Sequence, residues 1–176
     1  DLHMPSRLVF VDTAWDGKPT ITLTGQIAPG DADRFADFLT TVVPAPVQAF
    51  LNSTGGSVQD ALAMGRQLRK LGIDTQMTAS DICLSACPYL LAAGTARTVE
   101  DGALVGVHQH YFGENTALPA FIAVDDIQRG QGEVMEYLSE MDIDPLIMRH
   151  ALVTPPNEIY LLTADEMQTY RLTTAD

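Results

Sequence analysis

The sequence predicts an α/β fold in which a largely parallel sheet is flanked by helices. Apolar runs of strand length alternate along the chain with longer segments in which apolar residues recur every three or four positions. Such alternation is typical of helical crossovers between parallel strands. The 176 residues contain no repeat, low-complexity stretch or linker, which favours a single domain.

The first elements are a hairpin and a helix. Residues 7–12 and 20–27 alternate apolar and polar side chains around a turn at 16–19, so we expect two paired strands. Residues 29–43 place apolar side chains at helical spacing behind an aspartate cap. Prolines within 44–46 end that helix.

A strand, a turn and a second helix come next. Residues 47–52 form an apolar run typical of a buried strand, and the Ser-Thr-Gly-Gly-Ser segment at 53–57 predicts a tight turn. The helix expected at 58–72 begins behind Ser57, with Asp60 in the position of a capping box.

The middle of the chain continues the alternation. A strand at 73–79 leads to a short apolar helix at 85–93. Further strands are expected at 96–100 and 103–111, around an Asp-Gly turn at 101–102.

The C-terminal part is predicted to be mostly helical. Gly130 and Gly132 fall within a helical pattern at 120–141, so we expect an irregularity there. The remaining elements are a loop at 113–119, helices at 144–153 and 163–172, and a short strand at 158–162.

The net charge and the lengths of the apolar runs argue against nucleic-acid binding and against a membrane-spanning segment. The net charge of −13 argues against nucleic-acid binding, which requires a basic face. No apolar run approaches the roughly 20 residues that span a bilayer. Residues 1–4 resemble a cloning remnant, so we expect one domain at 5–176 that lacks a removed signal peptide.

The segment Leu-Asn-Ser-Thr-Gly-Gly-Ser-Val at 51–58 is a first candidate site. Glycines let the backbone turn sharply and leave amides uncovered, and amides beside a helix N-terminus bind negative charge. The charge would be a phosphate, a carboxylate or a developing oxyanion. A plain connection between strand and helix explains the same residues, and no Walker sequence is present.

Ser85, His108 and His110 are candidates for acid–base or nucleophilic chemistry. Ser85 lies where a helix is expected to start, as a nucleophile or simply as an N-cap. His108 and His110 alternate along a predicted strand and would point to one face, as a general base or as hydrogen-bonded core histidines.

Cys83 and Cys87 are the two cysteines of the chain. They predict a disulfide that brackets Ser85, provided that Cys83 lies outside the helix. Together with His108 and His110 they also match a tetrahedral zinc set, which remains open at this point. Neither thiol has a dedicated base that would make it a nucleophile.

These motifs together resemble the proteolytic subunit of the Clp protease, in the ClpP/crotonase superfamily. That family has a strand that ends in Asn-Ser-Pro-Gly-Gly-Ser, a serine five residues before a Leu-Leu-Ala-Ala-Gly-like run, and a strand that ends in Ile-His-Gln. Residues 51–58, Ser85 and His108 match in order and spacing over about 20–112. The segment at 160–167 resembles a further family motif.

The resemblance implies repeated β-β-α units and a serine peptidase site. Ser85 would attack a carbonyl, His108 would take its proton, and the amides of Gly56 and Ala86 would form the oxyanion hole.

The third catalytic residue is expected to be Glu158. Asn157, or a serine–histidine dyad with a backbone acceptor, are the alternatives. The related serine–lysine mechanism is not expected, because no lysine lies between 71 and 176.

The resemblance also implies partners and a location. The substrate would be a peptide or an unfolded protein, no cofactor or metal is needed, and a homo-oligomer is expected. The sequence is most similar to bacterial periplasmic relatives with a Cys-x-Ser-Ala-Cys motif, so an exported protein is expected, with the cytoplasm as the alternative. Docking to an ATPase is not expected.

Two other functions stay open. One is a ClpP-like scaffold or binding module without turnover. The other is a crotonase-like acyl-CoA enzyme, which uses the same pair of amides without a nucleophile.

Overall fold

The computed structural model describes residues 3–110 and 119–174. Within these residues, eight strands form one mixed sheet flanked by helices. The strands are β1 (Val9–Trp15), β2 (Lys18–Ile27), β3 (Gln48–Gly56), β4 (Asp74–Met77), β5 (Ile82–Leu84), β6 (Arg97–Val99), β7 (Leu104–Val107) and β8 (Tyr160–Leu161). The helices are α1 (Asp31–Leu39), α2 (Val58–Lys70), α3 (Cys87–Ala92), α4 (Ala120–Glu140), α5 (Met148–Leu152, after a 3-10 turn at Pro145–Ile147) and α6 (Ala164–Thr169).

Strand β3 is the hub of the sheet. One edge of β3 pairs in parallel with β2 along its whole length. On the other edge, its N-terminal part pairs in parallel with β4, and β4 continues to β6. Its C-terminal end pairs in parallel with β5, which continues to β7. The predicted hairpin of β1 and β2 is confirmed, and β8 adds a second antiparallel edge against β7. The α/β prediction is therefore confirmed, with a mixed sheet that branches at β3.

The core lies between the sheet and helices α2 and α3. Leu51 of β3, Leu68 of α2 and Leu90 of α3 are each at most 1% exposed. Burying one such side chain contributes about 2 kcal/mol. The whole of α3 is buried, which explains why its sequence lacks an amphipathic pattern.

The structure corrects the prediction of a tight turn at 53–57. Strand β3 runs on to Gly56, with Gly55 opposite Gln26 and Gly56 opposite Ile27. The unpredicted strand β5 begins five residues after β4 ends. With only three residues, β5 is too short to show a periodic pattern of its own.

The capping prediction for α2 is half right. The Ser57 hydroxyl accepts a hydrogen bond from the Asp60 amide, as expected of an N-cap. The Asp60 carboxylate does not return to the Ser57 amide, which bonds to the Ile27 carbonyl instead. Instead, the Asp60 carboxylate accepts hydrogen bonds from the amides of Gly30 and Ala32, at 3.1 and 3.0 Å. Asp60 therefore joins the start of α1 to the start of α2.

The predicted irregularity at Gly130 and Gly132 is wrong. Helix α4 is continuous, because glycine keeps its backbone donor and acceptor and costs only about 1 kcal/mol relative to alanine. Helix α1 is shorter than the predicted 29–43. The predicted loop at 113–119 lies outside the described residues except for Pro119, which immediately precedes α4.

None of the helices in the described part of the chain combines the length and the apolar character that crossing a bilayer requires.

Candidate active site

Ser85 lies in the turn between β5 and α3. Helix α3 begins at Cys87, two residues later than predicted, and Ser85 makes no capping hydrogen bond to it. Its φ of +63° is in the left-handed region that non-glycine residues rarely adopt. The Ser85 amide donates to the Gly106 carbonyl at 2.9 Å, which ties this turn to β7. The N-cap alternative for Ser85 is therefore wrong.

His108 contacts Ser85 directly. It lies just after β7, and its Nε2 atom is 2.8 Å from Ser85 Oγ. Its Nδ1 atom is 2.7 Å from the main-chain carbonyl oxygen of Glu158. A carbonyl only accepts hydrogen bonds, so Nδ1 carries the proton of the neutral ring. Nε2 is then the acceptor for the serine hydroxyl, which is the arrangement of a general base.

Glu158 meets His108 through its backbone, and its side chain is exposed. The Glu158 amide donates to the Pro155 carbonyl at 3.0 Å and so closes a turn. That turn sets the direction of the Glu158 carbonyl. Among the described residues, neither the Glu158 carboxylate nor Asn157 bonds to the histidine. The geometry matches the alternative of a dyad with a backbone acceptor.

The Gly-Gly pair brings the end of β3 against the Ser85 turn. At Gly55, with φ +96°, a Cβ atom would lie 2.6 Å from Ser85 Cβ and 2.9 Å from the Ala86 nitrogen. At Gly56, with φ +143°, it would lie 2.1 Å from the Ile27 carbonyl oxygen. Both positions therefore require glycine, for backbone conformation and for space.

The two amides expected to bind an oxyanion belong to Gly56 and Ala86, the residues that follow Gly55 and Ser85 in this contact. Gly56 and Ser85 line one cleft, and Ala86 follows Ser85 directly. Ala86 is fully buried, and its nitrogen lies 2.9 Å from the position that a Cβ atom on Gly55 would take.

The cleft above Ser85 has a volume of about 670 Å³. The N-terminal part of α2 forms one wall, and the middle of α4 forms another. Asp126, Arg129 and Glu133 of α4 line it. Arg129 bonds to Asp125 at 2.7 Å, so its charge is already paired. A cleft of this size accommodates a short peptide segment.

Cys83 and Cys87 form the predicted disulfide. Their Cα atoms are 5.0 Å apart, and both side chains are fully buried. Cys83 lies in β5, outside the helix, as the geometry of a disulfide demands. The sulfurs are bonded to each other and are therefore not zinc ligands, and the described residues contain no group of three or more metal-binding side chains.

His110 lies beyond the end of β7, contrary to the prediction of a strand through 103–111. Its Nε2 atom is 2.7 Å from the Tyr89 hydroxyl oxygen of α3. Its ring centre is 5.9 Å from that of His108. Burial, with a smaller contribution from His108, lowers the pKa of His110 to about 4. His110 is therefore uncharged near neutral pH.

Sequence reasoning missed Tyr89 and Gln109. Tyr89 is the one polar side chain in the apolar segment 88–93, a weak signal that its hydroxyl has a buried partner. The Gln109 amide and side chain donate to the carbonyls of Thr154 and Leu152, both at 2.9 Å. No sequence pattern indicates those main-chain contacts.

No model of a known protein family matches this chain, and no curated protein matches it. What this chain offers towards a function is the geometry around Ser85 and the motif resemblance.

Proposed function

We propose that the protein is a serine hydrolase, most specifically a peptidase that cleaves peptides or unfolded protein segments. The observation that carries the proposal is the 2.8 Å contact between Ser85 Oγ and His108 Nε2, with the opposite ring nitrogen held by a carbonyl. That pairing leaves an unprotonated Nε2 facing a hydroxyl, as general-base activation of a nucleophile requires.

The reaction follows from the positions of these groups. Ser85 Oγ attacks the substrate carbonyl carbon while its proton passes to His108 Nε2. Negative charge on the carbonyl oxygen is stabilised by the amides of Gly56 and Ala86. The amine leaves with the proton from His108, and an acyl-enzyme remains. Water, activated by the same Nε2 atom, releases the acid and regenerates Ser85.

The Glu158 carbonyl has two roles in this scheme. It holds the ring in the productive tautomer, and its dipole stabilises the imidazolium that forms. A dipole stabilises a cation less than a full carboxylate charge does. We therefore expect slower turnover than in sites that have an acidic third residue.

The ClpP-like architecture of repeated β-β-α units belongs to this proposal. Parallel strands β5 and β7 are neighbours, and Ser85 and His108 follow their carboxyl ends. Ligands of open α/β sheets bind at that edge.

The disulfide supports the proposal of an exported protein, because disulfides persist in oxidising compartments. A homo-oligomer without an ATPase partner remains part of the proposal.

The acyl-CoA alternative gains no support from a specific observation. It needs a cationic site for the CoA phosphates, and the one arginine or lysine among the described residues lining the cleft is Arg129, which Asp125 already binds. An acyl-CoA enzyme of this kind would also make no use of the contact between Ser85 Oγ and His108 Nε2.

The proposal is tested with a fluorophosphonate probe and intact-protein mass spectrometry. Ser85 Oγ would bond to phosphorus, fluoride would leave, and His108 would take the serine proton. We expect one adduct per chain, which Ser85→Ala and His108→Gln abolish. Ser57→Ala is the matched control, because Ser57 lines the same cleft but caps α2. An unlabelled wild-type protein would favour the scaffold without turnover.

A further inference from the structure

Tyr89 and His110 join the two chain segments that carry the dyad. Ser85 lies two residues before α3, whose third residue is Tyr89. His108 lies two residues before His110. Among the described residues, two side-chain hydrogen bonds link α3 and its preceding turn to the segment 108–110: the dyad contact itself and the 2.7 Å contact between Tyr89 and His110.

We infer that Tyr89 and His110 are positioning residues for the general base. The inference rests on the proposed function, because it concerns how His108 is held against Ser85. Strand pairing ends at Val107, so the segment 108–110 is held by contacts outside the sheet. Gln109 holds this segment by hydrogen bonds to main-chain carbonyls at the end of α5. His110 holds it by the hydrogen bond to Tyr89 of α3.

Burial gives the Tyr89–His110 contact the rigidity that positioning needs. Tyr89 is 5% exposed, and its own carbonyl accepts the buried Tyr137 hydroxyl of α4 at 2.6 Å. Burial also raises the pKa of Tyr89, so the phenol keeps its proton. Tyr89 is therefore a fixed anchor on α3, and the segment 108–110 is bonded to it.

The uncharged state of His110 suits its place beside the base. The two imidazole rings are perpendicular, with centres 5.9 Å apart. His108 becomes an imidazolium during each acyl transfer, and a second positive charge at that distance would oppose it. A neutral histidine provides a hydrogen bond at this place without adding charge.

Tyr89→Phe is the test, since it removes one hydroxyl and keeps the ring. We expect kcat for a p-nitrophenyl ester, and the rate of fluorophosphonate labelling, to fall roughly ten- to a hundredfold, because misplacement by about 1 Å costs that much. KM should stay within about twofold. The matched control is Tyr170→Phe, which removes a tyrosine hydroxyl 3.0 Å from Nε2 of another histidine, His150, and should leave kcat unchanged.

Conservative rescue separates positioning from general loss of structure. His110→Gln places an amide near the position of Nε2 and should retain most of kcat, whereas His110→Ala should match Tyr89→Phe. If Tyr89→Phe leaves kcat unchanged, or if His110→Gln is as slow as His110→Ala, the inference is wrong while the proposed function stands.

A spectroscopic readout works even if the protein has no turnover. In protein labelled with ¹⁵N-histidine, His108 of the wild type should show one tautomer protonated at Nδ1. In Tyr89→Phe its signals should broaden or average between tautomers, with Tyr170→Phe as the unaffected control. Unchanged His108 signals in Tyr89→Phe would overturn the inference, independently of whether Ser85 reacts.

Discussion

At the scale of single residues, the candidate site depends on backbone atoms as much as on side chains. The carbonyl of Glu158 orients His108, and a main-chain contact at Gly55 sets the place of the Ser85 turn. Sequence motifs singled out Ser85 and His108 because the proposed nucleophile and base would act through their side chains. They could not identify a carbonyl acceptor, because every residue has a carbonyl and only the fold sets its direction.

Replacement of Glu158 tests whether its carboxylate has a role. Glu158→Gln should keep kcat within about twofold, because the carbonyl that holds His108 remains. Ester hydrolysis at constant pH is the measurement, and His108→Gln provides the inactive reference. A loss of tenfold or more would identify the carboxylate as the third catalytic group after all.

A methyl group at Gly55 should abolish the reaction of Ser85 with a fluorophosphonate. The added Cβ of Gly55→Ala would lie 2.6 Å from Ser85 Cβ, at a φ of +96° that alanine rarely adopts. We expect loss of fluorophosphonate labelling and destabilisation by more than about 1 kcal/mol. Urea unfolding and labelling rates measure both effects, and normal labelling would show that the turn tolerates displacement.

At the scale of elements, the helix α4 and the turn between β5 and α3 differ most from the sequence predictions. The α4 pattern contains two glycines that predict a break, but hydrogen bonds along the helix and packing of Tyr137 keep it continuous. The turn was predicted as a helix start. Strand β5 occupies 82–84, between the predicted strand and the predicted helix, because pairing with β3 and β7 outweighs the local preference of three residues.

Gly132→Ala should stabilise the protein. Gly132 lies within α4, and an added Cβ would meet no atom within 4 Å. Alanine is favoured over glycine in a helix by up to about 1 kcal/mol. Urea denaturation should show a higher midpoint with an unchanged slope. Destabilisation would mean that another chain, or an undescribed residue, covers this position.

The disulfide should stabilise both the fold and the reactive turn. It closes a short loop around Ser85, which accounts for about 2 kcal/mol in the chain-entropy description. We expect the double variant Cys83→Ala/Cys87→Ala to unfold at lower urea concentration and to label several-fold more slowly at Ser85. Wild-type protein treated with reductant is the parallel sample. Labelling at the wild-type rate in the double variant would show that strand pairing alone holds the turn.

At the scale of the whole molecule, acid should destabilise the fold through His110. Its pKa falls from an ordinary 6.5 to about 4 on folding, chiefly through burial. Between those values the unfolded chain binds more protons, so stability falls as pH decreases through that range and is unaffected by this group above it. The loss approaches about 3 kcal/mol at pH 4.

Urea unfolding between pH 7 and pH 4 measures that loss. His110→Gln removes the titrating group, so the variant should lose less stability over the same range. Equal pH dependence of the two proteins would contradict the depressed pKa of His110.

The sequence alone determined the α/β class, the first hairpin and most helices, and it offered the disulfide and the pairing of Ser85 with His108 as hypotheses that the structure then bore out. These features depend on local periodicity, on cysteine chemistry and on motifs whose residue types and spacing are visible along the chain. The branching of the sheet at β3, the strand β5, the continuity of α4, the Glu158 carbonyl and the contact between Tyr89 and His110 were decided only by the tertiary structure. Each of these depends on which backbone or side-chain groups from distant parts of the chain meet, and burial then selects the arrangement that leaves the fewest polar groups without partners.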